Sequence, residues 1–279
     1  MDTGASVFAT PATMPPGPLA RLLEEHGHAA LYFAEHTHAV AGDRSARMPH
    51  RFRETLDPFV AATAAACATR SLRVGSAICL VAQHDPLVLA KTVASVDHLS
   101  GGRVDFGVGA GWAVEEMRHH DVDPERRFGR MREHVEAVRA VWTRTEASYT
   151  GRDVGFERVW SWPKPAQWPH PPVMVGGMGP RVLERVLGYG DAWLPDFGDE
   201  ETFARTLERV PELRRRAEDA GRGPLPVVLA GVPHDPRVLE RAERAGVTRV
   251  LTLLPAAGRA VVERALERYE MAIAAWRGE

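Results

Sequence analysis

The sequence predicts an α/β fold, a single (β/α)8 TIM barrel. Short apolar runs alternate eight times with stretches of helical periodicity, the pattern of parallel strands joined by helices. The length, 279 residues, matches the ~250 typical of that barrel. Three helices open on the same signal, Asp57-Pro58, Asp85-Pro86 and Asp235-Pro236, with Asp placed to cap and Pro at the first helical position. An open, doubly wound sheet shares this alternation and is the competing expectation, because periodicity does not report closure. No linker composition interrupts the chain, so one domain is expected over residues 1–279.

In chain order, Ala5–Thr10 reads as the first strand, and Leu19, Leu22 and Leu23 give the helix Pro18–His26 its apolar face. Ala30–Ala34 is the second strand, followed by a long loop and a helix from Asp57 to Thr69. Leu72–Leu80 is the third strand. The helix after Asp85 carries Val88, Leu89, Thr92, Val93, Val96 and Leu99 on one expected face. Arg103–Val108 is the fourth strand, and Phe128, Met131, Val135, Val138 and Trp142 line a helix over 125–142. Val173–Val175, Ala192–Leu194, Val227–Ala230 and Val247–Leu253 complete the strands. Helices over 180–187, 200–220 and from Pro236 lie between them, with a last one bearing Val262, Leu266, Tyr269, Ile273 and Trp276. The segment Ala147–Pro172 holds Trp160, Trp162 and Trp168 and is expected to cover the barrel bottom.

Composition excludes several classes of function. With 35 basic against 37 acidic side chains and a pI near 6.6, no electrostatic footprint for nucleic acid or an anionic membrane exists. No apolar run approaches the ~18–20 residues of a membrane span, and the N-terminus lacks the pattern of a signal peptide. The expectation is a cytoplasmic protein acting on a small molecule. Cys67 and Cys79 read as buried free thiols without a disulfide or zinc framework. Lys91 and Lys164 are the only lysines, which leaves Schiff-base chemistry few candidates.

In a barrel, chemistry sits where strands end. Glu35-His36-Thr37-His38 follows the second strand, and a histidine there can exchange a proton near neutral pH. Glu35 is expected to set its tautomer or to meet a cofactor donor. The following loop carries Arg44, Arg47, Arg51 and Arg53, read as a solvated rim. Gly75, Ser76, Ala77, Ile78 and Cys79 end the third strand, small enough for backbone to approach a ligand. Gly107-Val108-Gly109-Ala110-Gly111-Trp112 ends the fourth, ahead of Glu115 and Glu116; the glycine spacing is not the dinucleotide fingerprint. For Trp112, core packing is the commoner fate. Gly176-Gly177-Met178-Gly179-Pro180-Arg181 stands directly before a helix, an arrangement that presents amides to a phosphate.

These strings, FAEHTH, the run from Thr55 to Glu116, SWPKPAQWPHPPVMVGGMGPR and YGDAWLP, closely resemble the bacterial-luciferase-like monooxygenase family, and within it the deazaflavin-dependent oxidoreductases. The resemblance covers residues 19–196. It implies a barrel that binds coenzyme F420, with FMN as the alternative, at its C-terminal mouth, and an assembly as a homodimer. It implies a non-prolyl cis peptide at Ala77-Ile78 beneath the ring and the phosphate against Gly176-Gly177-Met178; Gly109, Ala110, Gly111 and Trp112 are expected at the coenzyme because alternate glycines let the main chain approach something flat or highly charged. Glu35-His36 matches the acidic residue and histidine beside the ring. Val40 and Trp112 stand where the sugar-phosphate dehydrogenase branch carries tryptophan and glutamate, so sugar-phosphate oxidation is not implied. Two other readings stay open on the residues alone. His36-x-His38 resembles a metal pair of a hydrolase, for which later strands offer no partner ligand; a non-catalytic flavin-binding barrel is the other.

Overall fold

The structure, a computed structural model, describes residues 1–41 and 50–279. Arg44 and Arg47 fall outside the described residues. Ten strands occur among those described: β1 (Asp2–Val7), β2 (Ala30–Phe33), β3 (Arg73–Cys79), β4 (Val104–Val108), β5 (Ala147–Thr150), β6 (Gly155–Val159), β7 (Val173–Gly176), β8 (Ala192–Leu194), β9 (Val228–Ala230) and β10 (Arg249–Leu253). Eight of them form one parallel sheet in the order β8-β7-β4-β3-β2-β1-β10-β9. Parallel bridges Trp193↔Val227 and Asp196↔Ala230 join the two ends of that sheet. The sheet therefore curls into a barrel, and the open-sheet alternative is set aside.

The helices are α1 (Pro16–Glu25), α2 (His50–Arg53), α3 (Pro58–Ala68), α4 (Pro86–Ser100), α5 (Val114–His119), α6 (Arg127–Thr143), α7 (Val182–Tyr189), α8 (Glu200–Asp219), α9 (Pro236–Ala245) and α10 (Arg259–Arg277). The three Asp-Pro starts work as expected. Asp57 accepts from the amides of Phe59 and Val60, Asp85 from Leu87 and Val88, and Asp235 from Arg237. Each bond satisfies a donor that the helix itself leaves unpaired. One apolar cluster fills the layer between sheet and helices. A smaller one, with Tyr32, Met174 and Leu251, fills the barrel interior and carries Ala77 and Ile78 on top of it.

Several expectations need correction. The first strand is Asp2–Val7 and not Ala5–Thr10, because its ladder to β10 starts at Asp2↔Arg249; neighbouring strands, not local pattern, set that boundary. The β5–β6 hairpin and α5 were not expected: both are short, and the hairpin stands outside the barrel sheet. On α4, Leu89, Val93 and Val96 are buried, whereas Val88 and Leu99 are 65% and 60% exposed. Cys79 is buried, but Cys67 lies exposed on α3. Trp160, Trp162 and Trp168 face outward; what reaches under the barrel is Gln167, bonded to Asp97 and Arg73. Gly75 serves its neighbouring strand and not a ligand: a Cβ there would stand 1.9 Å from the Asp105 carbonyl oxygen. No helix among the described residues is long and apolar enough to cross a membrane.

Candidate active site

A cavity of about 420 Å³ opens at the C-terminal mouth of the barrel, within the ~300–1,000 Å³ usual for small-molecule sites. Each of the eight barrel strands contributes residues from its C-terminal end. Glu35, His36, Ala77, Ile78, Gly109, Ala110, Gly111, Trp112, Gly176 and Gly177 all line it, so widely separated segments meet in one chamber. The peptide bond between Ala77 and Ile78 is cis. It falls where the β3–β4 register shifts, between Ser76 and Cys79, and sets the Ile78 side chain between two glycines. A Cβ on Gly109 would lie 2.5 Å from Ile78 Cδ1, and one on Gly176 would lie 2.8 Å from Ile78 Cγ2. The chamber floor is thus an apolar shelf that exists because both flanking positions lack side chains.

His36 is buried in the chamber wall, its ring stacked on Phe52 at 4.8 Å and met edge-on by Trp112 at 5.6 Å. Its Nδ1 donates to Glu116 Oε2 at 2.8 Å, which leaves Nε2 as the ring nitrogen available to the chamber. The other Glu116 oxygen accepts the Thr37 amide at 2.8 Å and the Thr37 hydroxyl at 3.2 Å. Burial disfavours the Glu116 charge, but the His36 hydrogen bond and charge and the Thr37 donors outweigh it and lower the pKa. Glu116 therefore stays ionised and orients the imidazole.

That role was expected of Glu35, and the structure corrects it. Glu35 Oε2 accepts the Leu80 amide at 2.6 Å, and Oε1 accepts His84 Nε2 at 2.7 Å. Burial lowers the His84 pKa, yet the bond to Glu35 and its charge raise it overall. Burial, reinforced by the Glu35 charge, pushes the Cys79 thiol well up. Donor atoms of Glu35, Cys79 and His84 lie within 4.8 Å of one another, and a thiol held protonated makes that group a hydrogen-bonded strut between β2 and the end of β3.

Other placements also differ. His38 turns out of the chamber and bonds Thr37 and His119, so it forms no metal pair with His36. Trp112 is 60% exposed at the rim instead of packed in the core. Arg51 lies over the Phe8 and Phe52 rings, 5.3 and 5.0 Å from their centroids, and is not merely solvated. Met178 is not in the chamber; it lines a separate cavity beside α8. Gly177, at φ +105°, turns the chain away there and donates its amide to the Leu194 carbonyl. Helix α7 begins only at Val182, so the glycines do not lead directly into it. Among the described residues, the amides of Met178 and Gly179 have no protein acceptor, and they are the donors this turn leaves for an anion.

The model of luciferase-like monooxygenases matches residues 17–245. The chain belongs to this family. Membership makes it an enzyme of the luciferase-like monooxygenase and oxidoreductase class. An uncharacterized protein of Mycobacterium tuberculosis is 39% identical over 267 residues, spanning 91% of this chain and 92% of that one. The FMNH2-dependent dimethylsulfone monooxygenase of Pseudomonas putida is 33% identical over 157 residues, 55% of this chain and 42% of that protein. A solved F420-dependent secondary alcohol dehydrogenase, in complex with an F420-acetone adduct, superposes with TM-score 0.66 at 19% identity. It covers 98% of this luciferase-like chain and 91% of its own, a likeness of fold alone.

Proposed function

We propose that this luciferase-like protein moves a hydride between coenzyme F420 and a small organic substrate, with His36 handling the accompanying proton. One observation carries the reading: in a largely apolar chamber, one imidazole is held by a buried carboxylate, and its second nitrogen has no partner among the described residues. A carbonyl–alcohol interconversion needs such a group, because hydride transfer to or from carbon leaves a proton to be donated or removed at oxygen. The residues fit a flat coenzyme. The Ala77-Ile78 shelf and the Gly109–Gly111 segment would hold the ring, and the Gly176–Gly179 turn its phosphate. The coenzyme, when bound, supplies the electron chemistry. The chain's own residues orient it, exclude water and manage the proton. A second reading, an FMN-dependent monooxygenase, is favoured by the similarity to the Pseudomonas putida enzyme.

Titration of the cofactor-free protein separates these readings. F420 is expected to bind with a dissociation constant of about 1 µM or tighter, and FMN at least about tenfold more weakly. Tight binding of FMN alone overturns the assignment.

The same reading includes a homodimer. Helix α3 carries no charged side chain (PFVAATAAACA), and a helix apolar all round belongs in an interior. Its outer stripe, Val60, Ala64 and Cys67, is exposed, with Val88 at the matching position of the adjacent α4. A second copy of this chain is the proposed cover. Val60→Glu is expected to convert a dimer to a monomer in light scattering; a wild-type monomer at all concentrations removes the idea.

A further inference from the structure

We propose that protons reach and leave His36 through a relay built of Glu116, Thr37 and three surface-facing histidines, His38, His119 and His120. The inference rests on the reading of His36 as the chamber's proton-handling group. Once a planar molecule fills the chamber, the route for protons that does not cross the ligand starts at His36 Nδ1. From that atom every link is within hydrogen-bond reach. His36 Nδ1 to Glu116 Oε2 is 2.8 Å, and Glu116 Oε1 to Thr37 Oγ1 is 3.2 Å. Thr37 Oγ1 then lies 2.8 Å from both His120 Nε2 and His38 Nδ1. The second nitrogen of His38 meets His119 Nδ1 at 2.8 Å. A single hydroxyl proton thus serves three partners, which makes Thr37 the switching point.

The relay ends where water can enter. His119 and His120 line a second cavity of about 510 Å³ on the outer side of the chamber wall. Gln83 also lines that cavity, and among the described residues neither of its amide atoms has a partner. Glu35 reaches the same cavity through His84. Arg130, His134, Asp121 and Asp153 also face it.

The transfer balances. A proton arriving at His36 Nε2 releases the Nδ1 proton to Glu116 Oε2. After the carboxyl rotates, that proton passes to the Thr37 oxygen as the Thr37 hydroxyl proton moves to His120 Nε2. One proton enters at the chamber and one appears at the histidine cluster; the reverse order supplies a proton to the substrate. Glu116 and Thr37 are positioning and relay residues and touch no substrate.

Thr37→Val separates relay from scaffold, because it keeps the backbone amide that anchors Glu116 and deletes only the hydroxyl. In the cofactor-free protein with 15N-labelled histidine, exchange of the His36 Nδ1 proton with water is expected to slow about tenfold or more in T37V. T37S is expected to match the wild type. In the coenzyme-loaded enzyme, T37V lowers kcat about tenfold with a larger solvent deuterium isotope effect, at unchanged coenzyme affinity. Equal Nδ1 exchange in all three proteins overturns the relay. Slowed exchange in a protein that binds no F420 leaves the relay standing and refutes the proposed function instead.

Discussion

Gly109→Val is expected to weaken coenzyme binding about 100-fold, or about 2.7 kcal/mol, while the barrel stays folded. The reason is the grip on Ile78. An added Cβ at position 109 meets Cδ1 at 2.5 Å and Cγ1 at 2.9 Å. These are side-chain atoms and not backbone, so they yield. Escape toward the other flank is blocked, because Ile78 Cγ2 already fills the space where a Cβ on Gly176 would lie, 2.8 Å away, and β7 closes that side. Ile78 must therefore rise off its shelf into the chamber, where the ring is to lie. Overpacking of this kind costs about 1–3 kcal/mol of stability, a modest change in Tm beside the loss of affinity. The double variant Gly109→Val, Ile78→Ala removes the obstructing branch and is expected to recover binding to within about tenfold of wild type. Fluorescence titration reads the affinity and thermal denaturation the fold. Wild-type affinity in Gly109→Val would mean that the ring does not rest on this shelf.

Why the shelf was legible in the sequence, and its neighbours less so, follows from barrel geometry. A parallel barrel turns the end of every strand toward one mouth, so Glu35, His36, Ala77, Ile78 and the two glycine segments could be assigned to one chamber from linear order alone. Pairing across that mouth is another matter. The partner of His36 is Glu116, on the six-residue α5, eighty positions away and behind β4, which is separated from β2 by β3. Nothing in local periodicity links the two. An acid one turn into a helix that opens just past a strand end, facing a histidine at another strand end, is the signal that would find it. Two buried acids can also differ in role: the one beside His36 in sequence, Glu35, braces β3, and the distant one, Glu116, orients the imidazole. Met178 was misplaced for a backbone reason, since the positive φ of Gly177 ends the chamber wall one residue earlier than the motif does.

Asp105→Ala is expected to cost about 3–5 kcal/mol of folding stability, and to do so without touching the chamber. Asp105 is 3% exposed at the lower end of β4. Its carboxylate accepts Arg73 Nε at 2.8 Å with a second bond from Arg73 Nη2, Arg249 Nη1 at 3.0 Å, and the hydroxyl of fully buried Tyr32. One anion thus ties β2, β3, β4 and β10 together at the end of the barrel opposite the mouth. Burial opposes the Arg249 charge, but Tyr32, Asp105 and Asp2 raise its pKa overall, and Arg73 is raised by the Asp105 bond and charge against the same penalty. Both guanidiniums remain charged when the carboxylate is removed, because arginine keeps its proton without a partner, and buried cations left with only Asp2 and Gln167 make the loss large. Tyr32→Phe supplies the scale: it deletes the bond the hydroxyl donates to Asp105 and the one it accepts from Arg249 and leaves the ion pairs, for about 1.5–3 kcal/mol. Denaturant unfolding checks both, and the gap should persist at high salt, since enclosed pairs are weakly screened. A deficit below about 1 kcal/mol for Asp105→Ala would show that water replaces the lost carboxylate bonds of the arginines. Coenzyme affinity of the folded fraction should not change, because the chamber floor rests on Tyr32, Met174 and Leu251 and not on the ions beneath them.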